Sequence, residues 1–300
     1  MNLEEFVIGE NFKGISQFYI NFTNYQERRF YQEKNLVFCK TDLIPLLFNE
    51  VRNLNVSIIL ISHQSDYEVN DRQPNFDSHG NLMINWSLPS EGHTPALFLL
   101  KPPQIKKWFA QNVNLKHPDL IPIPIGLENH HGPSRGSSID PEYLLKMPEI
   151  TLDSLNEIKG KNVEKIYVNF GDTHNNRKYV RDFLVSNNLC DLESSRLGFG
   201  QYLEKASKYL FVASPRGNGI DTHRTWESLY MGSIPIVERH FMYDGYNLPI
   251  WQIDSWEELL DKSKFDYWIE KYHKGELFTD ISRLFMTYWK QRILKEFQNL

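Results

Sequence analysis

Residues 214–230, SPRGNGIDTHRTWESLY, combine two glycines and two arginines with a histidine, an aspartate and a glutamate. The apolar run YLFVASP overlaps the start of this segment, and GSIPIV follows it at residues 232–237. The two apolar runs predict buried strands, whereas HRTWESLYM predicts a helix. RGNGID is then the turn from a strand into a helix. Open α/β sheets bind ligands at such turns, so the segment predicts a ligand site.

The rest of the chain repeats the alternation of apolar runs and helix-length segments. Runs of this kind favour strands buried on both faces, and their alternation with helices predicts an α/β protein with parallel sheets. We expect two Rossmann-like domains, at residues 1–150 and 151–277, connected through the Gly-, Ser- and Pro-rich region around 129–161. Residues 278–300 predict a long amphipathic C-terminal helix, which could pack back on the first domain. The apolar runs are QFYINFT, NLVFCKT, VSIILIS, ALFLLK and LIPIPIG in the first half, and KIYVNFG, YLFVASP, SIPIVE and LPIWQI in the second.

Composition narrows the classes of function. The 300 residues are 41% hydrophobic and 24% charged, which is typical of a folded globular protein. The net charge of −5 argues against a nucleic-acid partner. The two cysteines form no metal-type spacing and favour a reducing compartment. Without a signal-peptide pattern or a transmembrane segment, we expect a cytoplasmic protein.

The residue types in 214–230 suit a phosphorylated ligand. Gly217 and Gly219 allow a ligand to approach the backbone closely, and Asp221 or Thr222 could cap the helix. The start of a helix carries partial positive charge, to which Arg216 and Arg224 add guanidinium groups. Glu227 lies three residues after Arg224 on the same helical face and could accept hydrogen bonds from a ribose diol or hold Arg224 in place. Together these residues predict a site for a nucleoside diphosphate.

The stretch SPRGNGIDTHRTWESLYMGSIPIV resembles the C-terminal motif of exostosin-like glycosyltransferases, R-G-x-G-x-D-x-H-R-x-W-E-x-L followed by G-x-I-P-I-V. The resemblance covers residues 214–237 without a gap, is weaker over the rest of the second half and hardly extends to the first. It implies a GT-B fold of two facing Rossmann-like domains, with the donor bound mainly by the second domain and sugar transfer with inversion. It also implies that Arg224 and Glu227 contact the nucleotide. The donor-binding residues are then predicted as Arg177, Arg216, Gly217, Asn218, Gly219, Asp221, His223, Arg224, Glu227 and Gly171.

The loop in VNFGDTHNNRKYVRDFL supplies two of these residues. Gly171 ends a predicted strand, Asn175 or Asn176 could cap the next helix, and Arg177 lies at its start. The resemblance implies that this loop faces the donor phosphates, which makes Arg177 a second diphosphate ligand.

An inverting transferase also needs a base that takes the proton of the acceptor hydroxyl. Asp66 is our first candidate for this base and His63 our second, because both residues follow the strand VSIILIS in the first domain. Glu128, His130 and His131 lie at the predicted hinge, but no third ligand accompanies the two histidines at a metal-type spacing. A D-x-D doublet is also absent from the sequence, and we expect no metal and no cofactor.

We therefore predict a hexosyl- or pentosyltransferase. Its donor is a nucleotide sugar, for which we favour a UDP-sugar, and its acceptor is an oligosaccharide or glycoconjugate. Three alternatives remain open: a GDP-sugar transferase of the fucosyltransferase kind, a non-catalytic nucleotide- or glycan-binding module, and a nucleotide-sugar hydrolase.

Overall fold

The computed structural model describes residues 3–20, 33–70, 98–128, 151–157, 160–195 and 197–300. Within these residues lie two five-stranded sheets, and every strand pair in both sheets is parallel. Helices separate many of the strands along the chain. The predicted α/β class with parallel sheets is confirmed. No helix in the described part of the chain is long and apolar enough to cross a membrane.

The chain divides into two compact units. The N-terminal unit comprises Val7–Ile125, Asn218–Asp221 and Met286–Leu300, and the C-terminal unit comprises Met1–Phe6, Gly126–Gly217 and Thr222–Phe285. The turn RGNGID, residues 216–221, is therefore divided, because its residues 218–221 belong to the N-terminal unit and its first two residues to the C-terminal unit.

The sheet of the N-terminal unit has its strands in chain order. Strands β2 and β3 are continuous apolar runs, and residues 36–39 and 58–61 are at most 1% exposed, as expected for strands covered on both faces. On helices that contact this part of the sheet, the Phe12 and Trp289 rings meet edge to face at 6.4 Å. The elements are α1 Gly9–Gly14, β1 Phe18–Ile20, β2 Lys34–Lys40, α2 Ile44–Val51, β3 Ser57–His63, β4 Ile105–Ala110 and β5 Leu120–Pro122.

One predicted strand of this sheet is wrong. The run ALFLLK does not form a strand in its described part, where Phe98–Leu100 is a turn of 3-10 helix. The strand is instead β4, IKKWFA, whose outer end carries the exposed Lys106 while its last three residues are buried. Two adjacent lysines hid this strand from a search for continuous apolar runs.

The C-terminal unit carries the second sheet, in the order β10-β9-β8-β6-β7. From β6 the chain moves to β7 on one side and then returns to β8 on the other side of β6. The direction of winding therefore reverses between β6 and β8, and ligands of open α/β sheets bind beside such a reversal, at the carboxyl ends of the strands. The elements are α3 Leu152–Glu157, β6 Asn162–Val168, α4 Asn175–Ser186, β7 Cys190–Leu192, α5 Phe199–Ala206, β8 Tyr209–Ala213, α6 His223–Tyr230, β9 Ile234–Glu238, β10 Trp251–Ile253, α7 Lys262–Lys274 and, in the N-terminal unit, α8 Met286–Gln298.

The helix predicted for residues 278–300 is shorter in the structure, where α8 begins at Met286. Before it, the Asp280 carboxylate accepts hydrogen bonds from the backbone N–H of Ser282 and from Arg283, which stabilises a 3-10 turn over Ser282–Leu284. Phe285 is then extended and pairs with Phe6 in an antiparallel bridge. Local hydrogen bonding and this bridge therefore replace the first two helical turns.

A buried lysine joins two helices of the C-terminal unit. Lys161 is 7% exposed, and its ammonium donates to the carbonyls of Ser207 and Met231, at 2.5 and 3.0 Å, and to the hydroxyl of Ser233 at 3.2 Å. Ser207 and Met231 are the residues directly after α5 and α6, at helix ends whose carbonyls lack internal partners. Burial lowers the pKa of Lys161 to about 7.

This lysine predicts a pH dependence of folding. Between pH 7 and the ordinary lysine value of 10.5, the unfolded chain holds a proton on Lys161 that the folded chain has released. The free energy of unfolding should therefore rise with pH in this window, by up to about 1 kcal/mol per pH unit from this group. Urea denaturation at pH 7 to 9.5 should show this slope in the wild type but not in Lys161→Met. The exposed-site control Lys208→Met should keep the slope, and equal slopes in all three proteins would contradict the assignment.

Candidate functional site

The turn after β8 is closed by hydroxyl groups. The Ser214 hydroxyl hydrogen-bonds with the hydroxyls of Thr222 and Thr225, each at 2.9 Å, and all three side chains are buried. Thr222 occupies the position before the first residue of α6, but its side chain makes no capping hydrogen bond within the described residues and its hydroxyl contacts Ser214 instead. These contacts fix the direction in which α6 leaves the sheet and thereby place Arg224 and Glu227.

The Arg224 guanidinium contacts two aromatic rings. Its guanidinium carbon is 5.4 Å from the ring centre of Tyr202 and 5.9 Å from that of Phe170, within the range of a cation–π contact. The Nε atom of Arg224 is buried and has no hydrogen-bond partner among the described residues. The aromatic contacts thus hold the side chain while leaving hydrogen-bonding capacity unused.

Glu227 is buried beside this arginine. Its side chain is 7% exposed, and burial raises the pKa of its carboxyl group, although the positive charge of Arg224 opposes the rise. The carboxylate of Glu128 adds to the rise. Burial and the neighbouring Glu227 in turn raise the pKa of the Tyr202 hydroxyl, which has no well-aligned hydrogen-bond partner in the described part of the chain. Buried polar groups are normally hydrogen-bonded, so this cluster has the character of a site completed by a ligand.

Arg177 is also buried, at 7% exposure, and three of its hydrogen bonds go to backbone carbonyls. Its Nε donates to the carbonyl of Arg216 at 2.9 Å, Nη1 to that of Gly171 at 3.1 Å and Nη2 to that of Pro215 at 3.2 Å. The guanidinium therefore spans the loop after β6 and the loop after β8. The cap of α4 is His174, whose Nδ1 accepts from the Asn176 N–H, and neither Asn175 nor Asn176 takes that position.

Arg216 is held through its backbone from two sides. Its N–H donates to the Glu238 carboxylate at 3.1 Å, and its carbonyl accepts from Arg177. Glu238, at the end of β9, also accepts from the Asn176 amide and the Trp256 indole. Sequence reasoning missed Glu238, although its place at the end of a predicted strand was visible in SIPIVE.

Arg216 and Arg177 act electrostatically on His174, the residue that caps α4. Burial is the largest cause that lowers the pKa of His174, and the charges of Arg216 and Arg177 lower it further, while Glu238 acts in the opposite direction.

Gly217 is packed so closely that a Cβ there would lie 3.0 Å from the Nη2 of Arg177. At Gly171, by contrast, nothing lies within 4 Å of such a Cβ.

The middle of the turn, Asn218–Asp221, is bound within the N-terminal unit by one asparagine. Asn112 accepts from the Asp221 N–H at 2.9 Å, and its amide donates to the Ser65 carbonyl at 3.3 Å. A Cβ on Gly219 would lie 2.5 Å from the Nδ2 of Asn112, so glycine is required there by space. Asn112 is fully buried with a positive φ of 53°, and sequence reasoning did not identify it.

The Asp221 carboxylate accepts from the Ile125 N–H at 2.8 Å and is 3% exposed. This contact gives Asp221 a structural task in the N-terminal unit. His223, in the C-terminal unit, similarly places its Nδ1 at 2.8 Å from the Gly126 carbonyl.

The two candidate bases lie in different surroundings. His63 is 1% exposed, its Nδ1 accepts from the Gln64 N–H at 2.8 Å, and its Nε2 lies 3.0 Å from the Pro124 carbonyl. Both ring nitrogens thus contact backbone groups. Asp66 is half-buried, and its carboxylate accepts from the Asn218 amide at 3.2 Å. Of the two, Asp66 is the more accessible to a substrate proton.

His130 and His131 lie outside the described residues. Within the described ranges, no group of three histidine, cysteine, aspartate or glutamate side chains is arranged to hold a metal ion.

No family model and no curated protein matches the sequence. Among solved structures, the chain is similar to the pneumococcal O-GlcNAc transferase GtfA in complex with UDP and GlcNAc, at 12% identity and a TM-score of 0.34. The match covers 89% of this chain and 56% of that one, so the chain spans just over half the length of GtfA.

Asp221→Ala tests whether the hydrogen bond from the Ile125 N–H to the Asp221 carboxylate stabilises the fold. The substitution leaves the buried Ile125 N–H without its acceptor, which should lower the free energy of unfolding by about 1–3 kcal/mol. Urea denaturation measures the change. The exposed-site control Asp266→Ala should stay within about 0.5 kcal/mol of the wild type. An Asp221→Ala protein as stable as that control would show that the hydrogen bond contributes nothing.

Proposed function

We propose that the chain is an inverting glycosyltransferase of the exostosin-like kind, which moves a sugar from a UDP-sugar to a glycan or glycoconjugate acceptor. The observation that carries the proposal is the cluster of half-buried Arg224 with buried Glu227 and Tyr202, beside the reversal of the second sheet. It joins positive charge, a carboxylate and unused hydrogen-bonding groups at the edge where open α/β sheets bind nucleotides. The sequence motif around these residues supports the same class.

In this proposal, different residues bind the ribose and the diphosphate of the nucleotide. Glu227 accepts hydrogen bonds from the ribose diol, and Arg224 and Arg216 contact the diphosphate. Guanidinium groups suit this role because their fork of N–H donors matches phosphate oxygens. Arg177 adds positive charge from the first turn of α4.

The proposed reaction is a direct displacement. The acceptor oxygen forms a bond to the anomeric carbon as the bond from that carbon to the diphosphate oxygen breaks, and the bonding electrons leave with UDP. Asp66 takes the proton of the acceptor hydroxyl. The arginines stabilise the charge that develops on the leaving diphosphate, a contribution that needs no metal ion.

The donor class is tested by thermal shift with UDP and GDP, followed by nucleotide release from a panel of UDP- and GDP-sugars. We expect UDP to raise the melting temperature and GDP to have a smaller effect, because a ligand stabilises the folded state that binds it. Stabilisation by GDP alone would replace the UDP assignment with a GDP-sugar transferase. UDP binding without turnover with any acceptor would indicate a binding module, and sugar release to water at the rate of transfer would indicate a hydrolase.

Arg224→Ala should nearly abolish UDP binding, because it removes the guanidinium that contacts the rings of Tyr202 and Phe170. Isothermal titration calorimetry measures the dissociation constant. The matched control is Arg239→Ala, an exposed arginine that pairs with Asp254 in the same unit. If Arg224→Ala keeps its affinity within about twofold, or roughly 0.4 kcal/mol, the donor site is misplaced.

The raised pKa of Glu227 predicts that UDP binding weakens as the pH falls. Because the pKa of this buried carboxyl group is raised, it takes up a proton at a higher pH than an ordinary glutamate and then loses acceptor capacity for the ribose. Affinity should therefore fall as the pH decreases through this raised range. Glu227→Gln should bind UDP more weakly at pH 7.5 and lose less affinity on acidification, whereas parallel pH profiles would exclude Glu227 from the ribose contact.

A further inference from the structure

We infer that Arg177 is a positioning residue, which braces the two loops at the reversal of the second sheet and so sets the direction of Arg216 toward the donor diphosphate. The inference rests on the proposed function in one respect, namely that Arg216 contacts the diphosphate. It differs from the sequence-based expectation that Arg177 itself binds phosphate.

The hydrogen bonds of Arg177 support the brace. Its Nε, Nη1 and Nη2 each donate to a backbone carbonyl, two of them in the loop after β8 and one in the loop after β6. The planar guanidinium holds these three donors in a rigid fork, so one side chain fixes the spacing of two loops. The Phe170 ring, 5.6 Å from the guanidinium carbon, supports the group from another direction.

The backbone of Arg216 is clamped as a result. Its carbonyl accepts from Arg177 at 2.9 Å and its N–H donates to Glu238 at 3.1 Å. Glu238 is itself fixed by Asn176, the residue before Arg177 in α4, and by Trp256. Both peptide groups that flank the Arg216 Cα are thus held by buried or half-buried charged side chains.

The tight packing of Gly217 adds an independent constraint. Because a Cβ at this position would lie 3.0 Å from the Nη2 of Arg177, the loop and the guanidinium share a closely fitted contact. Gly217→Ala should therefore displace the brace without changing any charge.

A double-mutant cycle separates a positioning role from direct phosphate binding. The variants are Arg177→Lys, Arg216→Gln and the double variant, and calorimetry measures UDP affinity. Each single substitution should weaken binding about tenfold, in line with the loss of a hydrogen bond to a charged group. In the Arg216→Gln background, Arg177→Lys should weaken binding by less than about threefold, because its effect passes through Arg216. Losses that multiply to about a hundredfold would show that Arg177 contacts the ligand independently and would overturn the inference.

Gly217→Ala is a second test of the brace, because it disturbs the contact with Arg177 without removing a charge. It should weaken UDP binding in the wild type and have little further effect in Arg177→Lys. An equal loss in both backgrounds would contradict the brace. Arg239→Lys, the same substitution at an exposed arginine on the same unit, should leave UDP affinity unchanged.

Failure of the proposed function is distinguishable from failure of the brace. If the wild type does not bind UDP, the proposed function fails, and amide hydrogen exchange in the ligand-free protein then decides the brace alone. The Arg216 N–H should exchange faster in Arg177→Lys than in Arg239→Lys, because its loop is less firmly held. Equal exchange in the two variants would overturn the brace.

Discussion

Parallel strands covered on both faces confine polar chemistry to their ends. Residues 36–39 of β2, 58–61 of β3, 210–213 of β8 and 234–237 of β9 are buried and apolar, so a charged side chain among them would lack both water and a partner. The carboxyl ends of the strands instead open into loops, where backbone groups and side chains can be arranged around a ligand. Asp66, Arg177, Arg216 and Glu238 all lie at or just after such ends, in one sheet or the other.

Buried charge in this protein follows two patterns. Lys161, Arg177 and Asp221 are each at least nine-tenths buried, and the structure gives each of them backbone hydrogen bonds that connect separate elements. Glu227 is buried to the same degree, yet beside it, within the described residues, the Tyr202 hydroxyl has no well-aligned partner and the Nε of Arg224 has no hydrogen bond. The first pattern stabilises the fold, whereas the second leaves hydrogen-bonding capacity that a ligand could use. This contrast separates structural charges from candidate binding charges more sharply than residue type does.

Prediction from the sequence worked where the signal was local and continuous. The buried strands β2, β3, β8 and β9 were evident from their apolar runs, and the strand–turn–helix after β8 from its glycines and helical pattern. It failed where contacts distant in sequence decided the outcome. β4 was hidden by its lysines, the start of α8 was delayed by the pairing of Phe285 with Phe6, and Asn112 and Glu238 carry no local motif.

The sequence by itself determined the α/β class, the parallel sheets and the segment in which candidate ligand chemistry is concentrated, because apolar periodicity and turn residues act over a few positions. Only the tertiary structure decided what each charged residue of that segment does. Arg224 contacts two aromatic rings, Arg177 donates to carbonyls, and Asp221 binds Ile125, although the sequence presents all three simply as charged residues near glycines. Their roles depend on the partners that folding brings into contact with them, and those partners lie between 6 and 96 positions away along the chain.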